Sequence, residues 1–145
     1  MRLAHGDIEN AIRLLNRART EPDTTIQTVI VKYCIIEYAK PFKKSNDVSG
    51  KMFIPLKDAS VFPGGNSDHD QLIKERDQYI AHGDLKAYNP KLYYLPERDI
   101  FPIGLTPSHL YDQIDMLIDK MLAVCDIVLK YLVDRMTTLE TLFRE

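Results

Sequence analysis

Residues 74–84 of the chain read KERDQYIAHGD, and they combine helical patterning with charges that an apolar helix face does not normally accept. At about 100° per residue, the neighbouring apolar positions and one glycine fall within a single arc roughly 120° wide; they are Leu72, Ile73, Tyr79, Ile80 and Gly83. Arg76 lies in the middle of that arc. Because a guanidinium keeps its charge, Arg76 needs an acceptor, a ligand or an exit to solvent.

The end of the same stretch predicts a helix terminus. Gly83 tolerates positive φ, so we expect the helix to end at or near His82. The imidazole of His82 then stands at a helix end, beside Tyr79 and Glu75.

Length and composition favour a single domain, residues 1–145, with one substantial core, since the chain has 145 residues of which 45% are hydrophobic. The net charge of −2 gives no strong field toward nucleic acid or anionic membrane, so any RNA binding must use local patches. Cys34 and Cys125 belong to no CxxC motif, which indicates reduced thiols packed as small hydrophobes. Without a signal-like or membrane-spanning segment, we expect a soluble, cytoplasmic protein that does not bind membranes.

Periodicity predicts an all-α protein with about four main helices. Asp7 is a candidate cap for a helix to about Arg19, and a second helix runs from Thr25 to about Lys40, where Pro41 stops it. The third helix starts near residues 66–68 and carries the opening stretch. The fourth begins with Thr106 as cap and Pro107 at its first position. Two long irregular connections, residues 41–67 and 84–106, separate these helices, with a short turn of helix near residues 56–59.

The second helix has almost no polar face, so we interpret it as a central buried helix rather than as a strand, for which 16 residues is long. Glu37 aligns on this helix with Ile26, Ile30 and Tyr33, which places a carboxylate in an apolar face. A buried Glu37–Arg76 pair is the simplest hypothesis that satisfies both charges.

Basic and aromatic residues in the two connections have two possible uses. The lysines of the first connection either contact phosphate or only solubilise the loop; they are Lys43, Lys44, Lys51 and Lys57. The tyrosines of the second either stack bases or pack the loop onto the helices; they are Tyr88, Tyr93 and Tyr94. A small-molecule pocket lined by both loops is a further alternative.

The fourth helix repeats apolar residues at three- and four-residue intervals over about 35 residues, or about 50 Å at 1.5 Å per residue. This length exceeds what three shorter helices can cover. Part of its apolar surface is therefore expected to meet another chain, which predicts a homodimer.

The pattern Arg-Asp-x-Tyr-Ile-Ala-His-Gly-Asp at a helix end, after a helix bearing Glu37 and before a long amphipathic helix, resembles the HEPN superfamily. The Arg-Asp…Ala-His-x-Asp form resembles its abortive-infection (phage-defence) branch. The resemblance implies an up-down helical bundle, usually dimeric, and in active members a metal-independent endoribonuclease without cofactor. It also implies a phage-defence or toxin–antitoxin setting, with an antitoxin protein as a possible partner.

Carried over by position, Arg76 and His82 match the two named residues of the family motif, and Asp77 matches the polar residue after its Arg. Glu37 is similar to the acidic residue that many members place on the preceding helix. The implied reaction is attack of a 2′-hydroxyl on the adjacent phosphate, with His82 exchanging protons near neutral pH and Arg76 stabilising charge on the phosphate oxygens. Glu37 would orient Arg76, and Tyr79 would position His82 or contact the base.

The catalytic interpretation has a geometric condition, and a non-catalytic alternative remains open. Six residues of regular helix leave Arg76 and His82 roughly 120° apart and about 9 Å apart along the axis, so the two groups converge only if the last turn unwinds toward Gly83 or a second subunit completes the cleft. Members without ribonuclease activity also occur in the family, so a non-catalytic dimeric module that binds RNA or a partner protein is the second candidate. In that case Glu37 and Arg76 fix helix register and His82 caps its helix.

Residues Asp68-His69-Asp70 have the side chains of a metal site but not its arrangement. Alternate residues at a helix start point in different directions, and no second His or Cys cluster accompanies them. The two acids are better explained by helix capping and the helix dipole, so we predict no metal.

Overall fold

The computed structural model describes residues 2–46, 52–81, 91–92, 103–104 and 109–142, and within them the protein is all-α. The α-helices are α1 (Arg2–Arg19), α2 (Thr24–Ala39), α3 (Asp58–Val61), α4 (Ser67–Glu75) and α5 (Ile114–Leu142). Short 3₁₀ helices span Lys40–Phe42 and His109–Tyr111, and a π-helix spans Arg76–Ala81. Two antiparallel ladders of two residues per strand join β1 (Ser45–Asn46) to β2 (Met52–Phe53) and β3 (Lys91–Leu92) to β4 (Ile103–Gly104).

Side-chain caps mark the starts of α2 and α4. The Asp23 carboxylate accepts from the backbone N–H of Thr25 at 2.8 Å and of Ile26 at 3.1 Å. The Asn66 side chain accepts from the backbone N–H of His69 at 2.9 Å. The predicted turn of helix in the first connection is confirmed as α3.

Two predicted helix starts are wrong. α1 begins at Arg2, so Asp7 lies inside the helix and does not cap it. α5 begins at Ile114 after a 3₁₀ helix, rather than at Pro107, and has 29 residues instead of about 35. In both cases a residue type favoured at a cap was present, but the backbone hydrogen bonds that decide a boundary are made elsewhere.

Contacts between helix ends define how the three long helices run. Gln27 Nε2, near the start of α2, donates to the carbonyl of Ala18 at the end of α1 and to Asp115 at the start of α5, both at 3.2 Å. Arg19 and Asp119 form an ion pair at the same end. α1 is therefore antiparallel to both α2 and α5.

The core lies between α1, α2 and α5, with further residues from α3 and α4. Its largest fully buried side chains include Tyr38, Ile8, Leu15, Ile35, Leu72, Ile118, Met121 and Leu132. α2 is buried on one side only, because Ile26, Val29 and Tyr33 are exposed. The expected burial of this face is thus only partly correct, since Ile26 and Tyr33 are exposed whereas Ile30 packs against the core and Glu37 is buried. A helix that is apolar all round carries no signal for which side meets the core.

Cys34 and Cys125 are free, fully buried thiols of this core. Burial raises the pKa of each to about 12, so neither forms a thiolate at neutral pH. Their role is that of small apolar side chains. Among the residues that the structure describes, no helix is both long enough and apolar enough to cross a membrane.

His69 is a buried polar residue on the inward face of α4. Its Nδ1 lies 2.7 Å from the Tyr38 hydroxyl and its Nε2 lies 3.4 Å from Asp58 Oδ1. The rings of Phe42 and Phe62 each lie 4.6 Å from the imidazole, centroid to centroid. Asp68 instead pairs with Lys120 at 3.4 Å, so adjacent residues of the Asp68-His69-Asp70 triplet have separate partners.

The burial of His69 predicts a pH-dependent stability. Burial lowers the pKa of His69 below its ordinary 6.5, although Asp58 and Asp70 oppose the shift. His69 therefore binds a proton more readily in the unfolded chain than in the folded one. The free energy of unfolding should fall as pH decreases below about 6.5. Denaturant unfolding at pH 7.5 and 5.5 should show this loss in the wild type and a smaller loss in His69→Gln. His109→Gln, at a histidine whose side chain is 79% exposed, is the matched control; equal losses in all three proteins would contradict a neutral His69.

Candidate functional site

Arg76 is the first residue of the π-helix, and its side chain is 29% exposed. Its Nη1 donates to Asp77 Oδ1 at 2.8 Å. The guanidinium is thus neither in the centre of a buried face nor fully in solvent. Asp77 anchors one edge of it, and its other donors have no partner among the described residues.

Asp77 holds a second cation beside Arg76. Lys43 Nζ donates to Asp77 Oδ2 at 2.6 Å. Burial alone would raise the pKa of Asp77, but the hydrogen bonds from Lys43 and Arg76 outweigh it and lower the pKa. One carboxylate therefore holds two positive side chains close to each other, although they are 33 residues apart in sequence.

Glu37 is buried, with 3% of its surface exposed, and accepts a hydrogen bond from Lys40 Nζ at 2.5 Å. Burial alone would raise the pKa of Glu37, but hydrogen bonds from Lys40, Tyr33 and Asn10 lower it. The carboxylate is therefore ionised and positions Lys40.

The predicted Glu37–Arg76 ion pair is replaced by two others, Glu37–Lys40 and Arg76–Asp77. Each acid takes a cation from its own local segment, three residues or one residue away. A partner that is held nearby by the same backbone costs less conformational entropy to bring into contact than one from a separate helix. The hypothesis of a Glu37–Arg76 pair did not take these local partners into account.

Arg76 and Lys40 nevertheless border the same cavity, of about 460 Å³, which we call the basic pocket. Four cationic residues line it: Lys40, Lys43, Lys44 and Arg76. Asp7 is the one acidic residue in the lining, and the other lining residues are Leu3, Ala4, Ile36, Pro41, Ile54, Pro55 and Leu56. With Glu37 and Asp77, which pair with three of these cations, the group has four positive and three negative side chains, and its net charge of +1 favours an anion.

Asp7 adjusts this charge from α1. Its Oδ1 lies 4.0 Å from Lys40 Nζ. Burial raises the pKa of Asp7, opposed by Lys40 and assisted by Glu37.

A second cavity of about 460 Å³ lies between α4 and the start of α5. Its charges are mixed, with Lys74 and Lys120 beside Glu75 and Asp112. Because it contains none of the predicted site residues and no excess of one charge, the basic pocket is the better candidate.

Of the predicted site residues, the structure places Arg76 and Asp77 at the basic pocket and Glu37 beneath Lys40. Tyr79 belongs to the π-helix, and its side chain lies outside the described part of the chain. His82 and Gly83 also lie outside the described residues, as do Tyr88, Tyr93, Tyr94 and Lys51. Their predicted roles stay predictions.

The sequence did not identify Lys40 and Asp7 as site residues. The spacing of Lys40 three residues after Glu37 is a signal for a helical ion pair, and it was available. Asp7 carried a misleading signal, since its type and position fitted a helix cap. Lys43 was considered as a phosphate contact, and its position on Asp77 favours that use over solubility alone.

Comparisons of the chain with protein-family models, curated proteins and solved structures give no match.

Proposed function

We propose that this protein is a metal-independent endoribonuclease of the HEPN type and that the basic pocket holds the phosphate backbone of its RNA substrate. The proposal includes the HEPN-like up-down bundle. One observation carries it: the arginine of the sequence motif borders a pocket with three lysines and is fixed by the aspartate that follows it.

The cations of the pocket suit a phosphodiester. Arg76 offers paired N–H donors to phosphate oxygens, and the lysines add charge without fixed geometry. Phosphate contacts of this kind supply most of the sequence-independent affinity for nucleic acid, although the chain as a whole carries a net charge of −2. A local patch therefore has to do the binding, and the basic pocket is such a patch.

The proposed reaction needs one base and one acid. The 2′-hydroxyl loses its proton and its oxygen bonds to phosphorus, the bond from phosphorus to the 5′-oxygen breaks, and that oxygen takes up a proton. The products are a 2′,3′-cyclic phosphate and a 5′-hydroxyl. His82 exchanges the protons, and Arg76 stabilises the negative charge on the phosphate oxygens during the transfer.

Exposed apolar residues support a homodimer as part of the proposal. On α2, Ile26, Val29 and Tyr33 are exposed, and α5 exposes Val133, Leu139 and Leu142 near its end. Exposed apolar residues on a helix surface are of the kind found at interaction sites. A second subunit would also supply the shared cleft that the spacing of Arg76 and His82 calls for. The phage-defence or toxin–antitoxin setting, with an antitoxin partner, is implied by the family resemblance alone.

The direct test is incubation of the protein with RNA in excess chelator. We expect cleavage that resists the chelator, leaves 2′,3′-cyclic phosphate ends and is lost in His82→Ala. His109→Ala is the control for loss of a histidine away from the motif. RNA binding without cleavage would favour the non-catalytic module instead, and cleavage that requires a divalent metal or survives His82→Ala would exclude the proposed mechanism.

A further inference from the structure

The basic pocket has an apolar wall that phosphate binding does not explain. Five of the twelve described residues that line it are apolar and not proline, and the ring of Pro55 adjoins them; the five are Leu3, Ala4, Ile36, Ile54 and Leu56. Ile54 is 91% exposed and Leu3 is 65% exposed. A site for phosphate alone would gain nothing from exposed apolar residues at its rim.

Most of the apolar part comes from other elements than the cationic part. Leu3 and Ala4 belong to the start of α1, and residues 54–56 form the segment before α3. The cations come from the 3₁₀ helix after α2, residues 43–44 and the π-helix, and Ile36 of α2 is the apolar residue nearest to them in sequence. The Leu56 N–H donates to the Pro41 carbonyl at 2.8 Å, which ties the apolar segment to the cationic one. The pocket therefore presents an apolar region and a cationic region at a fixed separation.

The volume of about 460 Å³ fits this division. Small-molecule sites typically measure about 300–1,000 Å³ and combine apolar walls with a few polar groups that fix orientation. A single phosphate would leave most of such a cavity empty. A ligand with a flat apolar group joined to a phosphate would fill both parts.

We infer that the basic pocket is a nucleotide subsite, in which the cations bind the phosphate and the wall formed by Leu3 and residues 54–56 receives the base. This inference rests on the proposed function only in taking RNA as the source of the nucleotide. Among the described residues that line it, the wall contains no aromatic ring and no charged group that would read a base edge. It therefore binds by apolar contact, and the four bases bind with similar affinity.

Calorimetric titration at fixed ionic strength tests the inference with three probes: a nucleoside 3′-monophosphate, ribose 5-phosphate and inorganic phosphate. We expect the nucleotide to bind at least about tenfold more tightly than either base-free probe. Leu3→Ser should remove most of this preference while leaving the affinity for inorganic phosphate unchanged. Ile127→Ser is the matched control, because Ile127 is an exposed aliphatic residue of α5 that is not among the described residues lining the basic pocket.

Lys43→Gln supplies the complementary result, since it should weaken all three probes by a similar factor. A two-nucleotide RNA separates the sources of the nucleotide: tighter binding than the mononucleotide assigns the pocket to a strand, and weaker binding assigns it to a free nucleotide. Equal affinity for nucleotide and ribose phosphate, or a preference that survives Leu3→Ser, overturns the subsite.

The inference and the proposed function fail separately. A protein that prefers the nucleotide but cleaves no RNA keeps the subsite and loses the ribonuclease. A protein that cleaves RNA but binds all three probes equally keeps the ribonuclease and loses the subsite.

Discussion

Arg76→Ala should reduce RNA cleavage by about a hundredfold to a thousandfold, the loss typical when one preorganised donor to a developing oxyanion is removed. Arg76→Lys should recover only part of the rate, because an ammonium keeps the charge but lacks the paired, planar donors. The measurement is the single-turnover cleavage rate at saturating protein, in chelator. Under these conditions a change in binding alone does not alter the rate.

Arg19→Ala is the matched control for this series. Arg19 pairs with Asp119 at the opposite end of α1 from Leu3 and the basic pocket. Its loss should leave the single-turnover rate unchanged. Asp77→Asn adds a positioning test: it frees both Arg76 and Lys43, and Arg76→Ala in that background should then cost less than in the wild type. Wild-type cleavage by Arg76→Ala would remove Arg76 from the mechanism.

His69→Ala should have the largest effect on stability, about 3 kcal/mol, or a melting temperature lower by roughly 10 °C. The substitution empties the space between Phe42 and Phe62 and leaves the Tyr38 hydroxyl buried without its imidazole partner. Denaturant unfolding followed by circular dichroism measures the loss. His109→Ala, at an exposed histidine, should change stability by less than about 0.5 kcal/mol.

A double-mutant cycle separates packing from hydrogen bonding at His69. His69→Phe keeps a ring among the aromatic neighbours but leaves the Tyr38 hydroxyl unpaired, at a cost of about 1–3 kcal/mol. Adding Tyr38→Phe removes that unpaired group, so the double variant should be more stable than His69→Phe alone. Additive losses would mean that the 2.7 Å contact between Tyr38 and His69 contributes no coupling energy.

Local signals predicted much of the fold. The caps at Asp23 and Asn66 are decided by side chains two or three residues from the amides they bind, so the sequence reveals them directly. The stripe of α1, with Ile8, Ala11 and Leu15 buried, likewise follows from periodicity alone.

Other features depend on contacts that no local pattern encodes. Tyr38 and His69 are 31 residues apart, and neither position signals the other. The sides of α2 are equally apolar, so only the packing of α1 and α5 decides that Ile35 is buried and Val29 exposed.

For the candidate site, the sequence predicted some of the residues but not the ion pairs that they form. Arg76, Asp77 and Glu37 were all identified from sequence, and Arg76 and Asp77 meet at the basic pocket. The predicted pairing is wrong because Lys40 binds Glu37, while Asp77 binds both Arg76 and Lys43. Several cations near a few acids allow many pairings, and only the folded backbone chooses among them.

The π-helix at Arg76–Ala81 changes what a motif spacing means. The sequence placed any loosening of the helix near Gly83, but wider winding already starts at Arg76. In a π-helix the hydrogen bond joins residue i to residue i+5, so one more residue fits into each turn than in an α-helix. Counting residues between an arginine and a histidine therefore measures position along the chain, whereas the winding sets their separation in space. An insertion or deletion within residues 76–81 would therefore change the direction of the residues that follow as well as their distance.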